Sequence, residues 1–566
     1  MCGIAGIISN HNQTEALQKM LISQHHRGPD FTGSWSDDTL AYFGHNRLAI
    51  IDLKAQSNQP FHCTENRYLI TFNGEIYNYL ELKKELENHF NFHTDSDTEV
   101  LLNAYKYWGE ECLHHFRGMW SFAIWDRHEN KLFASRDRFG VKPFYYIHIN
   151  NTFAFASEPK AFWAAELIKK EWNNVVLSRY LSQANYGMPD ECMFTNIHQL
   201  PGGHSLTWQA DKISIKKWYH FEKEVHKIKH TKSALEIQNE LKALLEENIK
   251  LRLRADVPIG FNLSGGVDST LLFQLIRQQL NFDKTSAFTF YSNDAKYDET
   301  DWVKQIIGNT GFKWQKCLVD KYSIPEFAEK IQYHADEPYS GIATLAYART
   351  FEEARKNNYI VLLDGSGIDE QFAGYDYYTK STDVNVQGTT TSPFRLNCLD
   401  RDFIALSNKP SYPKPFADDI LNLQYRDTLY TKLQRDIRFN DRISMTFSTE
   451  LREPFLDHKL FEYAFALPIE NKIHNGQRKY IIRQIIKETL NTSLVEAPKR
   501  PVQTPQREWL SNDLKEWVIE MTNNATSNYA FLNKKEINKE LDLFFNHNNE
   551  NSFYIWQWIT LGMIKC

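Results

Sequence analysis

Residues 257–269 read Val257-Pro-Ile-Gly-Phe-Asn-Leu-Ser-Gly-Gly-Val-Asp-Ser269, and Thr270 follows. Val257 to Leu263 predicts a strand, and Thr270 to Leu280 predicts a helix. Between them stands a turn rich in glycine and hydroxyls. Such a strand–turn–helix aims backbone N–H groups past the strand's carboxyl end, and the helix N-terminus favours negative charge there. Phosphate suits that geometry. The plainer alternative is a Ser/Gly turn with Asp268 as an ordinary acid of a first helical turn, and the preceding Asp256-Val-Pro-Ile-Gly stretch argues against it.

Outward from this turn, strands are expected at Ser286 to Tyr291 and Tyr359 to Leu363, with a helix at Asp301 to Gly308 between them. Strand and helix in alternation imply a doubly wound parallel α/β sheet, whose ligands bind at the strands' carboxyl ends. The next strand is left by Leu363-Asp-Gly-Ser-Gly-Ile-Asp-Glu370, which offers Asp369 as a second carboxylate to meet Asp268. Two carboxylates beside a phosphate loop suit a magnesium ion carrying ATP. The Ser264-Gly-Gly-Val-Asp-Ser269 loop has the pyrophosphate-binding pattern of ATP-dependent adenylating enzymes, and the Gly-x-x-x-x-Gly-Lys loop of phosphoryl transfer is absent. AMP transfer is therefore expected. From Asp376 to about Asp419 the chain is rich in Asn, Thr and Pro, and the stretch from Thr379 is a candidate lid. Beyond it the pattern is helical to the end.

The other end of the chain opens Met-Cys-Gly-Ile-Ala-Gly. With Met1 removed, Cys2 carries a thiol and an α-amine on one residue. The thiolate is the nucleophilic form, and an amine with a pKa of about 8 is a suitable proton acceptor for it. A cysteine that merely packs is the alternative. Short apolar runs at Gly3 to Ile8, Tyr68 to Phe72, Trp120 to Trp125 and Phe153 to Ala156 predict strands, with helices at Tyr79 to Asn88 and Thr98 to Trp108. That mixture suits layered α and β elements. The mixed-charge stretch Glu222 to Lys232 reads as a solvated linker, so the expected division is a first domain at 2–215, a linker at 216–234 and a second domain at 235–566.

Composition narrows the classes. A chain of 566 residues exceeds one core, and a net charge of -6 lacks the basic excess of a general nucleic-acid binder. No apolar run is long enough to span a bilayer, and the N-terminus lacks the basic and apolar regions of a signal peptide. Seven cysteines without a CxxC pair suit a reducing compartment, so a cytoplasmic location is expected.

Behind Cys2 come His26-Arg-Gly-Pro-Asp30, Arg47 in Asn-Arg-Leu-Ala-Ile-Ile-Asp, Asn73-Gly-Glu-Ile-Tyr-Asn78 and Thr94-Asp-Ser-Asp-Thr-Glu99. In this order they resemble the first site of class II glutamine amidotransferases, which implies an αββα N-terminal-nucleophile fold. By that resemblance Cys2 attacks the glutamine amide, Asn73 and the Gly74 amide form the oxyanion hole, Arg47 binds the glutamine carboxylate, and Glu75 and Asp97 hold its ammonium. The alternatives are a surface ion pair for Arg47, a hairpin turn for Asn73-Gly74 and a helix N-cap for Asp97. The second half, with Asp441-Arg-Ile-Ser-Met, Arg452-Glu-Pro-Phe-Leu-Asp457 and Lys479 in Arg-Lys-Tyr-Ile-Ile-Arg, resembles the asparagine synthetase domain. Glutamine-hydrolysing asparagine synthetases are thus the family the whole chain resembles, with an ATP-pyrophosphatase fold and a helical extension in the second half. The resemblance places Ser264, Gly265, Gly266, Asp268, Ser269, Asp364 and Gly365 on ATP, Leu263 and Phe290 near the adenosine, Asp268 and Asp369 on Mg2+, and Lys479 on the leaving pyrophosphate.

The implied substrates are glutamine, ATP and a carboxylate acceptor, aspartate first, with neither nucleic acid nor membrane as partner; a homodimer is left open. Two departures bear on the acceptor. Where the family usually reads Ser-Gly-Glu-Gly, this chain has Asp364-Gly-Ser366-Gly, and a serine hydroxyl does not take a proton from an attacking amine at neutral pH. Gly341-Ile-Ala-Thr-Leu-Ala replaces a common Thr-Thr-Ile-Arg stretch, losing an arginine that Arg349 either replaces or does not. Asp-Gly-x-Gly variants resemble amidotransferases acting on other carboxylates, such as uronic-acid sugars of surface polysaccharides. A glutaminase alone, or a silent regulatory protein on the same fold, is the remaining reading.

Overall fold

The computed structural model describes residues 1–279, 285–308, 310–380, 392–490, 504–546 and 551–565. In the first half, period-2 alternation gives each strand two apolar faces. Ile4 and Ile8 of the strand Gly3–Ile8 point into one core with Phe43, Leu69, Trp125 and Phe155, whereas Ala5 and Ile7 point into another with Leu17, Met20 and Leu21. Two six-stranded antiparallel sheets result. One runs His198–Gln199, Tyr145–Ile149, Thr152–Ala156, Gly3–Ile8, Ala41–Arg47, Phe31–Ser36. The other runs Lys212–Lys217, His204–Gln209, Lys131–Arg136, Gly118–Asp126, Tyr68–Ile76, Phe61–His62. The helix Thr14–Ser23 covers the first sheet, and Tyr79–Leu86 and Asp97–Trp108 cover the second, completing αββα layers.

The second half is built on a five-stranded parallel sheet ordered Lys313–Leu318, Ser286–Tyr291, Ile259–Asn262, Val361–Leu363, Glu450–Arg452. It is doubly wound. Ala287 joins the core of the helices Ala234–Arg252, Val267–Gln279 and Tyr480–Lys487, and its neighbour Phe288 joins that of Ile324–Ala335, Ile342–Lys356 and the C-terminal helices. From Ile259–Asn262 the chain winds first to one side and later to the other, so the carboxyl ends of that strand and of Val361–Leu363 flank the switch point where such sheets bind ligands.

Two strands escaped the apolar pattern. Lys313–Leu318 is a sheet edge with mostly half-buried or exposed residues, and Glu450–Arg452 is fully buried yet charged at both ends. The stretch expected to be a solvated connector contains the helix Phe221–Lys227, which buries Phe221 and Val225 against Phe461 and Phe465. Its apolar residues are too few to show a period. Of the expected lid, residues 381–391 lie outside the described residues, as does Leu280 of the expected helix. The rest of the lid stretch includes the helix Arg401–Ala405, capped by Asp400, and Tyr412, whose hydroxyl accepts from Asn185 Nδ2 at 3.1 Å.

The halves share a charged, buried seam. Arg27 meets Asp441 through two hydrogen bonds of 2.9 and 3.1 Å, Arg442 meets Glu158 at 3.1 Å, and Arg117 clasps Asp457 at 3.1 Å. Breaking one such pair leaves an uncompensated buried charge, at a cost of about 3–5 kcal/mol.

Candidate active site

Cys2 heads the central strand of one N-terminal sheet, and Asn73 lies in the facing strand of the other. Asn73 Oδ1 accepts from the Cys2 amide at 2.9 Å, while its Nδ2 is buried and donates to no described atom. Residue 74 must be glycine, because a Cβ there would stand 2.2 Å from the Met119 carbonyl. The Cys2 thiol is 3.9 Å from the Leu48 carbonyl, and burial pushes its pKa up against the pull of the terminal ammonium and Arg47.

The other expected residues converge on the same small cavity, which Cys2, Arg47, Gly74, Glu75 and Asp97 all line. Arg47 is no surface ion pair: its guanidinium donates to Lys54 O at 2.9 Å and Asn58 Oδ1 at 2.8 Å and also to Asp52 O. Asp97 is not the helix N-cap, a part taken by Ser96, whose side chain accepts from the Thr98 amide. Asp97 instead accepts from the Ile76 amide at 2.9 Å, and burial raises its pKa to about 6. Asn73-Gly74 is mid-strand rather than a hairpin turn. The Glu75 carboxylate is pushed well up by burial and by Glu450, with Arg452 at 3.4 Å opposing.

Met1 fills part of this cavity. Its ammonium donates to Glu450 at 2.8 Å, both groups fully buried, and the space left is about 30 Å³. That holds a water or two.

At the switch point of the parallel sheet lies a cavity of about 430 Å³. Leu263, Ser264, Asp268, Ser269, Phe290, Asp364, Gly365 and Asp369 line it. Gly265 and Gly266 sit behind, their amides turned to Glu299 Oε2 at 3.2 Å and Ser264 Oγ at 3.3 Å. The Lys479 ammonium bridges Asp268 at 2.7 Å and Asp369 at 2.6 Å. Burial would depress it, but the two carboxylates prevail and raise its pKa. Lys479 adopts φ 55°, a left-handed conformation costing roughly 1–3 kcal/mol, at the head of the helix Tyr480–Lys487. Asp268 and Asp369, two oxygen donors brought to one point beside a phosphate loop, fit a magnesium ion.

Asp364 bends back over the position where the family's glutamate is missing: its carboxylate accepts from the Ser366 amide at 3.0 Å, from Ser366 Oγ at 3.2 Å and from the Tyr347 hydroxyl. Burial raises its pKa, with these hydrogen bonds opposing. Arg349 does not replace the lost arginine. It stacks on Phe327 at 3.7 Å and donates to Glu352 and Ser323, away from the cavity. Sequence reading missed Arg435 and Asp436, which line the cavity as an ion pair at 3.0 Å; no motif marks them. Asp441, Arg442, Arg452 and Asp457 lie along the seam between the halves and not around the cavity.

Comparison with known proteins agrees with this two-site architecture. A family model of the glutamine amidotransferase domain matches residues 1–219, and one of asparagine synthase matches residues 240–564. A glutamine-hydrolysing asparagine synthetase of Bacillus subtilis is 28% identical over 96% of this chain and 93% of its own. A putative one of Methanocaldococcus jannaschii is 35% identical over 66% of this chain and 76% of its own. A Penicillium rubens protein named as the amidase chyE is 26% identical over 90% of this chain and 89% of its own. With a glutamine amidotransferase domain ahead of its nucleotide-type sheet, the chain is an ATP-dependent, glutamine-hydrolysing amide ligase and belongs to the asparagine synthase family.

Proposed function

We propose that the chain amidates a carboxylate that it first adenylates, with nitrogen drawn from glutamine at Cys2. The observation that carries this is the Asp268–Lys479–Asp369 bridge beside the Ser264–Ser269 loop, paired with an unpartnered Asn73 Nδ2 beside the Cys2 backbone. The division at 2–215, 216–234 and 235–566 is kept for the two activities, supported by the spans 1–219 and 240–564.

At the first site the Cys2 thiolate, its proton taken by the α-amine freed on Met1 removal, attacks the glutamine amide carbon. Asn73 Nδ2 and the Gly74 amide receive the oxyanion. Arg47 holds the substrate carboxylate, and Glu75 and Asp97 hold its ammonium. Ammonia leaves, and water releases glutamate from the thioester. At the second site the acceptor carboxylate attacks the α-phosphorus of ATP, and Lys479 offsets charge on the departing pyrophosphate. Asp268 and Asp369 would hold the magnesium ion that neutralises the phosphates. Ammonia then displaces AMP from the acyl-adenylate, and Asp364, beside Ser366, accepts its proton. Ammonia survives the transfer only where water is excluded, as in the buried seam, because in neutral water it is mostly protonated.

Free aspartate is the acceptor to which the family points, and Arg435 with Asp436 supplies one charge of each sign for it. A second reading rests on Arg349 being turned away and on Arg435 also lining a further cavity: the acceptor is a larger carboxylate that extends past Arg435. This is the reading the geometry supports best. A reducing cytoplasm is where we place the enzyme, and all six described cysteines are free. Pyrophosphate release measured with aspartate and with glucuronate, first with ammonia and then with glutamine, tests the proposal. Release with neither acceptor, nor with a phosphorylated uronate, overturns the ligase reading of the second site, and efficient release with aspartate overturns the larger acceptor.

A further inference from the structure

Behind Arg435 lies a second cavity of about 110 Å³, on the far side of the helix Lys432–Met445 from the phosphate loop. Arg435 lines both cavities. In a chain of net charge -6, the second is cationic: Lys409, Arg426, Lys432, Arg435 and Arg438 line it, and Asp427 is the one carboxylate in that lining, while Arg435 pairs with Asp436 and Arg438 with Glu337 outside it. Asp427 is already committed, accepting from both the Tyr377 and Tyr378 hydroxyls, from Thr431 Oγ1 at 2.8 Å and from Arg426 Nε at 3.0 Å.

Lys432 is the unusual member. It is 6% exposed, and among the described residues its ammonium has no hydrogen-bond acceptor, lying over the rings of Tyr375 at 5.0 Å and Tyr377 at 5.3 Å. Burial lowers its pKa to about 8. Asp427, Asp436 and Glu370 act on it only through space, so its ammonium is left to take a bound anion. Arg438 adds a buried Nε without a partner among the described residues, its Nη1 donating to Tyr186 O at 3.1 Å and to Glu337 at 3.4 Å. Guanidinium forks and an ammonium lining one recess are the groups that recognise phosphate oxygens. The Tyr375 ring joins the two spaces, since it lines the first cavity and carries Lys432 against it.

We infer that the second cavity seats a phosphate or diphosphate group of the acceptor, making the substrate a phosphate-bearing carboxylate such as a phosphorylated or nucleotide-linked uronic acid. This rests on the reading of the first cavity as the acceptor's adenylation site. The carboxylate would lie beside Asp364 and Ser366, and the phosphate past Arg435.

Two measurements on the full chain test it separately from that reading. In the first, ammonia-driven pyrophosphate release is compared for glucuronate, glucuronate 1-phosphate and UDP-glucuronate. A phosphorylated acceptor is expected to show a KM lower by about tenfold or more, as fits one or more charge-assisted contacts, and Lys432→Met should erase most of that difference. Equal KM values for all three, or a difference that Lys432→Met leaves intact, overturns the inference. The second is equilibrium dialysis of glucuronate 1-phosphate and of UDP-glucuronate without ATP, which needs no turnover. Saturable binding of either, weakened in Lys432→Met, supports the cavity even if no acceptor releases pyrophosphate, and tells a phosphomonoester from a nucleotide diphosphate. Binding of neither, or binding indifferent to Lys432→Met, overturns it. Methionine fills the lysine's volume without a buried charge, and a circular-dichroism melt no lower than that of the wild type checks that the variant is folded.

Discussion

Replacing Asn73 by alanine tests the first site most directly. The side chain's Oδ1 makes one hydrogen bond, 2.9 Å from the Cys2 amide, and its Nδ2 makes none among the described residues. Loss of the bond costs about 1 kcal/mol, and removal of a buried amine without a partner returns a similar amount, so net stability should change by about 1 kcal/mol or less. Catalysis should respond on another scale. Loss of one oxyanion donor lowers kcat by about 10²–10³, or roughly 2.7–4 kcal/mol of transition-state stabilisation. Glutamate release at saturating glutamine reads that loss, and ammonia-driven pyrophosphate release by the same protein shows that the second site is intact. Asn73→Asp sharpens the test, since it keeps the shape but turns an acceptor toward the developing oxyanion. It should be at least as slow as Asn73→Ala. A fall in kcat of less than about tenfold, or an Asp variant that outruns the Ala variant, refutes the oxyanion assignment.

Cys2→Ala should abolish glutamine-driven amide formation and spare the ammonia-driven reaction; loss of both would mean the sites are not separable. Lys479→Met should lower ammonia-driven pyrophosphate release by about 10² or more while glutamate release from glutamine persists, since the ammonium bridges two carboxylates only at the second site. An unchanged rate of pyrophosphate release would remove Lys479 from the chemistry. Asp97, raised to about 6 by burial, is charged above that pH and neutral below it. Hence kcat/KM for glutamine should fall as pH drops through about 6, by about tenfold per unit, as the anchor for the substrate ammonium is lost. An Asp97→Asn variant that keeps the same fall through about pH 6 would show that Asp97 does not hold that ammonium.

What could be read from the sequence followed from periodicity and from compact motifs. The strand Ile259–Asn262 and helix Val267–Gln279 announce themselves because apolar residues alternate at Val257, Ile259, Phe261 and Leu263 before a Gly-Gly turn and fall at helical spacing after it. Cys2, Arg47, the strand residues Gly74 and Glu75, and Asp97 come from four places in the chain, yet each stands in a recognisable short stretch, and the fold gathers them around one cavity with Asn73 bonded to the Cys2 amide beside it. Arg435 and Lys432 carry no such mark. Their value depends on which cavity a helix face meets, a tertiary fact that helical spacing does not contain. Arg349 shows the converse: its position along the chain offered a replacement cation, but its stacking on Phe327 points it elsewhere. The acids and arginines of 441–457, which entered only as part of the resemblance to the asparagine synthetase domain, are parts of the seam, because an ion pair has the same sequence appearance whether it binds substrate or joins domains.

That seam gives the strand Glu450–Arg452 its meaning. Glu450 reaches the Met1 ammonium in the first cavity, Arg452 stands between Glu450 at 2.6 Å and Glu75 at 3.4 Å, and the Arg452 carbonyl accepts from the Asp364 amide at 3.1 Å in the second site. One short strand therefore touches both centres. The charge arithmetic around it changes when Met1 is removed: Glu450 keeps Arg452 but loses the ammonium in its present place, and the new terminal amine lies one residue, about 3.8 Å along the chain, farther back. The same removal would vacate the volume that Met1 fills, so on the proposed first-site chemistry processing would supply the base for Cys2 and space in its cavity together. It follows that residues 1–219 on their own would be an incomplete glutaminase. Without Glu450 and Arg452 the Glu75 carboxylate, which lines the first cavity, loses its facing cation.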